Sequence, residues 1–134
     1  MRSKVLGSAS SPTSPTANTL LAALPSDLRA VMKSCTKYTD NNGGGNTASN
    51  VSSTTDYLFL LSEYEVFATH QYCNDAEQNY QAQYDYFKAG NSKVANKHSA
   101  TGTAAVWWLR SPHYSNIAYY YFCAVSSSGS LDYL

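Results

Sequence analysis

The side chains with which this chain could do chemistry are few and scattered. The cysteines are Cys35, Cys73 and Cys123, and the histidines are His70, His98 and His113. No C-x-x-C spacing occurs among them, so a structural zinc site is not expected. The sulfurs read as plain buried or half-buried thiols. At most one disulfide can form, and spacing does not choose the pair. A Ser-His-Asp hydrolase is unsupported, because there is no G-x-S-x-G elbow and each histidine lies in polar sequence without a recognisable orienting acid. Asp40, Asp75 and Asp132 are isolated, whereas a calcium loop clusters its carboxylates. The run Asn41-Asn42-Gly43-Gly44-Gly45-Asn46 lacks the Lys-Ser/Thr of a phosphate loop and reads as a flexible surface loop. The expectation is therefore no catalytic residues, no metal and no cofactor.

The composition points instead to recognition. Tyrosine occurs 12 times, against four Phe and two Trp, and Ser, Thr, Asn and Gly are plentiful beside it. Rigid amphipathic rings and short hydrogen-bonding groups are the materials of binding surfaces. Nine basic residues balance nine acidic ones, so the basic face of a nucleic-acid binder is missing. No run reaches the roughly 20 apolar residues of a membrane span, and Met1 to Pro12 carries basic residues but no apolar signal-peptide core. At 134 residues the chain suits one domain with a real core.

The elements that would position such a surface can be read in outline. A short helix is expected over 17–23, stopped by Pro25, and a second begins at Pro25 with Ser26 and Asp27 in its first turn. Leu28, Val31, Met32 and Cys35 keep helical spacing, though 31–39 could equally leave as an extended segment. Residues 40–55 form a polar loop, and Asn50-Val51-Ser52 within it is a glycosylation sequon. Tyr57-Leu58-Phe59-Leu60-Leu61 reads as a buried strand. Ser62-x-x-Glu65 is a capping box opening a brief helix. A further helix opens near Asp75, carries Tyr80, Tyr84 and Phe87 at i, i+4 and i+7, and ends at Gly90. A polar loop over 91–103 leads to the apolar run Ala104-Ala105-Val106-Trp107-Trp108-Leu109, a buried strand closed by Arg110, Ser111 and Pro112. After a turn at 113–116, residues 117–125 form a strand, 126–129 a hairpin turn and 130–134 a returning strand.

Four segments taken in order resemble a bacterial family, the domain of unknown function 6273. They are Leu20-Leu21-Ala22-Ala23-Leu24-Pro25-Ser26-Asp27-Leu28-Arg29, the run from Asp56 to Phe67, Trp107-Trp108-Leu109-Arg110-Ser111-Pro112, and Tyr121-Phe122-Cys123-Ala124-Val125 with its Ser-Gly turn. The resemblance covers nearly the whole chain. It implies an α+β, C-type-lectin-like fold akin to the formylglycine-generating enzyme, with short helices packed on a small, mostly antiparallel sheet. Family members extend beyond both ends of this chain, so residues 1–134 are expected to be a single partial domain, incomplete at its N- and C-termini. The resemblance also implies a non-catalytic ligand-binding module of a surface or phage-associated protein, extracellular, recognising a protein or glycan. The alternative is a structural spacer in a multidomain adhesin. An oxidase like the formylglycine-generating relatives would need paired cysteines, and Cys73 is the sole conceivable partner for Cys123. In such folds the late strands and loops carry the ligand face, which here is His113, Tyr114, Ser115, Asn116, Tyr119, Tyr121, Ser126, Ser127 and Ser128. Trp107 and Trp108 are assigned structural roles. Glu65 and Arg110 are expected to form a buried or half-buried ion pair that locks the capped helix to the tryptophan strand.

Overall fold

The computed structural model describes residues 2–41, 46–114 and 121–134. They form two compact units, Met1–Lys37 with Ser53–Phe59, and Tyr38–Ser52 with Leu60–Leu134.

The first unit starts with a five-residue π-helical turn, Arg2–Leu6, followed by helices α1 (Leu20–Ala23) and α2 (Ser26–Val31). Thr19 caps α1, its hydroxyl accepting from Ala22 N. Gly7 packs so closely on that cap that a Cβ would come within 2.5 Å of Thr19 Oγ1, and its φ of +70° independently favours glycine. Pro25 stands at the N-cap of α2 rather than inside it. Leu21 is fully buried, and Arg2 Nε donates to buried Asp56 Oδ1 at 2.7 Å.

The chain leaves α2 as strand β1 (Cys35–Asp40), the extended alternative for that stretch. It pairs with β2 (Val51–Asp56), which follows a 3-10 turn at Ala48–Asn50. The expected loop over 40–55 therefore holds a strand. Its Ser/Thr-rich sequence hides it, because no alternation of apolar residues marks a buried face. The expected strand over 57–61 does not form. The segment stays irregular and half-buried, and Leu61 O accepts from Arg110 N at 2.8 Å.

Helix α3 (Glu63–Phe67) follows, opened by the complete capping box. The long helix expected after Asp75 is broken into a 3-10 turn, Asp75–Gln78, and a four-residue helix α4 (Asp85–Lys88). Tyr80 between them has a φ of +65° and is 86% exposed. Tertiary bonds override the helical spacing: Gln81 Nε2 donates to Tyr38 O, and Tyr84 N donates to Glu65 O. Gly90 does follow α4 with positive φ.

The expected loop over 91–103 contains β3 (Ala95–Lys97) and most of β4 (Ala100–Ala105), an antiparallel pair whose faces are largely exposed. The tryptophan segment forms β5 (Trp107–Pro112), which runs on through Arg110, Ser111 and Pro112 instead of closing there. It is only partly buried, since Trp108 is 47% exposed. With β6 (Phe122–Val125) and β7 (Leu131–Tyr133) it makes a three-stranded antiparallel sheet in the order β5-β6-β7. Val66, Cys73, Leu109, Cys123 and Val125 form its core, flanked by Leu61, Phe67, Tyr72, Phe87, Trp107 and Leu131. The described residues are thus α+β, with short helices and three small sheets where one was expected. Among them, no helix is long and apolar enough to cross a membrane.

Candidate binding face

The polar centre of the second unit grows from the N-terminus of α3. Ser62 Oγ accepts from Glu65 N, and Glu65 Oε2 accepts from Ser62 N at 2.9 Å. The same oxygen lies 2.5 Å from Arg110 Nη1 on β5, and both side chains are over nine-tenths buried. Arg110 further donates from Nε to Tyr38 O and from Nη1 to Leu60 O. One guanidinium thereby ties α3, β5, Tyr38 of β1 and the irregular segment before α3 together. The planar fork of arginine suits this task and a lysine would not.

Ser111, next on β5, accepts from Glu63 N and donates to Glu77 Oε1, each at 2.9 Å. Glu77 is fully buried, and its Oε2 has no hydrogen-bond partner among the described residues. Burial pushes its carboxyl up to about 8, with the Ser111 bond and Arg110 opposing. The group is mostly protonated at neutral pH, which removes the cost of a buried unpaired charge.

Glu63 is also fully buried and does the most bonding. Its carboxyl accepts from Gln71 N at 2.6 Å, Tyr72 N at 3.1 Å and Cys73 N at 2.8 Å, and from the Thr69 hydroxyl. It pins the loop over 69–73, which leaves α3 through Ala68 in the left-handed conformation at φ +56°. That loop carries Tyr72.

Tyr72 is the hinge between this polar centre and a cluster of rings. Its ring stacks on His113 with centroids 5.0 Å apart, and meets Tyr133 edge-on at 5.0 Å. His113 also contacts Tyr133 at 4.6 Å and Tyr114 at 6.2 Å, and Tyr121 meets Tyr133 at 5.7 Å. Tyr114 N donates to Tyr72 O, and His113 N to Tyr121 O. His113 is buried, and that burial lowers its pKa, with the charge of Glu63 opposing. Tyr121 and Tyr133 are 44% and 40% exposed. The outcome is a neutral aromatic face, with an inner imidazole and outer phenols open to solvent.

Of the nine residues expected to meet a ligand, His113, Tyr114 and Tyr121 fall in this cluster. Ser115, Asn116 and Tyr119 lie outside the described residues. Ser126, Ser127 and Ser128 sit at the far end of the β6–β7 hairpin, where Ser126 and Ser128 hydroxyls share a 2.9 Å hydrogen bond. The register Cys123↔Tyr133 through Val125↔Leu131 separates them from Tyr121 by the length of β6. Trp107 flanks the core and donates from Nε1 to Lys93 O. Tyr72, Tyr133, Glu63, Glu77 and Ser111 were not singled out from sequence. Glu63 carried one signal, an acid directly after an apolar run and a helix cap; Tyr72 carried none. One histidine does have an orienting acid: Asp75 Oδ1 lies 2.6 Å from His70 Nδ1. Asn46 Nδ2 holds the other oxygen, and these two bonds, Asn46 foremost, lower the Asp75 pKa. Both side chains of this His–Asp pair are about half exposed. Among the described residues no three His, Cys, Asp or Glu side chains gather so as to hold a metal ion.

Fold and site thus define a small α+β domain that presents aromatic rings from a polar, carboxylate-pinned centre. The chain belongs to the family described as domain of unknown function DUF6273, whose model matches residues 16–133. No curated protein and no solved structure matches it.

Proposed function

We propose that this domain is a non-catalytic ligand-binding module of a bacterial surface or phage-associated protein, with a C-type-lectin-like fold, and that its ligand is a protein or glycan met at the aromatic face. The observation that carries this reading is the contact of Tyr72, His113, Tyr114, Tyr121 and Tyr133 in one cluster whose outer rings stay open to solvent. Rings packed on one another are held rigid before any ligand arrives, so stacking a sugar or peptide on them costs little side-chain entropy. The outer phenols offer hydrogen bonds without a net charge to desolvate.

The test is saturable binding of the full chain to glycan and peptide arrays, repeated with Tyr121→Ala and Tyr133→Ala. A saturable ligand weakened at least tenfold by either variant supports the reading. Absence of any saturable ligand, or one indifferent to both variants, moves the domain to the role of structural spacer.

A further inference from the structure

Cys73 and Cys123 lie far apart in sequence and meet at one atom. Glu63 Oε2 accepts from Cys73 N at 2.8 Å and from Cys123 Sγ at 3.4 Å. Both cysteines are fully buried in the same core cluster, with Val66, Leu109 and Val125. A second contact fixes the same approach: Tyr133 is the cross-strand partner of Cys123, and its ring touches that of Tyr72, the residue before Cys73. The two bonds to one oxygen, 2.8 Å and 3.4 Å, hold Cys73 N and Cys123 Sγ no farther apart than their sum, and a disulfide needs Cα atoms about 5.5–6 Å apart. Cys35 is exposed.

We propose that Cys73 and Cys123 are a modification site, a dithiol that closes to an intramolecular disulfide when the chain folds in the presence of a small disulfide oxidant such as oxidised glutathione. The thiolate of one cysteine attacks the glutathione disulfide and releases one glutathione thiolate. The second cysteine attacks the mixed disulfide at the protein sulfur and releases the other. The two cysteine protons pass by way of solvent to the two glutathione thiolates, so two cysteines are oxidised and one glutathione disulfide is reduced to two thiols. Once the core has closed, the reaction stops. Burial raises both thiols, and the neighbouring carboxyls Glu77 and Glu63 raise them further, so almost no thiolate exists in the folded, reduced protein. The bond would replace the thiol contacts of Cys73 and Cys123 with Glu63. The backbone donors of Gln71, Tyr72 and Cys73 keep their acceptor. It would fasten the loop bearing Tyr72 to β6 and so fix the aromatic face covalently.

The experiment refolds the reduced full chain with a mixture of reduced and oxidised glutathione, blocks remaining thiols with iodoacetamide, and maps peptides without reduction. The expected result is one linked pair, Cys73 with Cys123, two hydrogens lighter than the separate peptides, with Cys35 alkylated or bound to glutathione. In Cys73→Ala the remaining Cys123 is then recovered unlinked to Cys35. Protein added to oxidant only after folding in reductant should stay unlinked over the same time. Recovery of Cys73 and Cys123 as separately alkylated peptides from protein that has refolded in the glutathione mixture overturns the proposal. So does a chain that folds in reductant but not with the oxidant, or one that links Cys35 to either.

Discussion

The polar centre around Arg110 and the aromatic face around His113, which adds Tyr121 and Tyr133, share two stretches of chain. One is α3 with the loop that follows it, and the other is β5 with its continuation. In the centre, each side chain is fixed by directed bonds: Glu65 by Ser62 N and Arg110, Glu63 by three backbone donors, Ser111 by a donor on one side and an acceptor on the other. In the face, rings touch edge-on or stacked, and area replaces direction. A directed buried network fails when one member is removed, because the survivors are left unpaired in a low dielectric. A ring cluster loses only the contacts of the missing ring. The first suits a fixed frame, and the second tolerates change at its outer positions.

The largest break in that contrast should come from Glu63→Ala. It would take the acceptor from the buried amide of Cys73 and the part-buried amides of Gln71 and Tyr72, at up to ~1–3 kcal/mol for each that water does not reach. The sum rivals the stability of a whole small domain, ~5–15 kcal/mol. Urea unfolding should show little or no folded baseline; a midpoint near that of wild type would refute the role given to Glu63. Arg110→Ala follows at ~3–5 kcal/mol, the usual cost of leaving half of a buried pair. Arg110→Lys should recover only part, since an ammonium cannot serve Glu65, Leu60 O and Tyr38 O in the same planar geometry.

The third prediction concerns pH. Burial pushes Glu77 up to about 8 from the ordinary glutamate value of 4.5, so the native state holds a proton that the unfolded chain releases above pH 4.5. Its contribution is fully present below that pH and is lost as pH rises toward 8, with a slope of at most ~1.4 kcal/mol per pH unit. Burial depresses His113, so below about pH 6.5 the unfolded state gains the proton first, and that contribution is lost as pH falls through the folded pKa. Urea midpoints measured from pH 4 to 9 should therefore fall at both ends. Glu77→Gln should flatten the alkaline limb alone, and an unchanged limb would place its origin elsewhere. On the aromatic side, Tyr133→Ala should cost a smaller ~1–2 kcal/mol in the same assay, since the ring is 40% exposed and makes pair contacts worth ~0.5–1.5 kcal/mol each. Smallest is Ala68→Gly, which should stabilise by up to ~1 kcal/mol by relieving the left-handed cap of α3.

Local chemistry was legible wherever neighbours in sequence do the work. The Ser62–Glu65 capping box, the glycine after α4 and the β6–β7 turn depend on bonds spanning a few residues, and the types at those positions suffice to announce them. The family signature around residues 56–67 and 107–112 likewise sits in consecutive residues, and it pointed to Glu65 and Arg110 together. Partners distant in the chain could not be read this way. Tyr80, Tyr84 and Phe87 keep perfect helical spacing, yet bonds from Gln81 to Tyr38 and from Tyr84 to Glu65 broke that helix. Strands β2, β3 and β4 were invisible because their polar faces carry no apolar period. Glu63, Glu77 and Tyr72 acquire their roles only when β5, the loop over 69–73 and the β6–β7 hairpin converge. Sequence determined which local turns and caps could form and which family the chain joins. Tertiary structure decided which acids are buried, which rings share a face and which two cysteines meet, because burial and dielectric are properties of the packed neighbourhood.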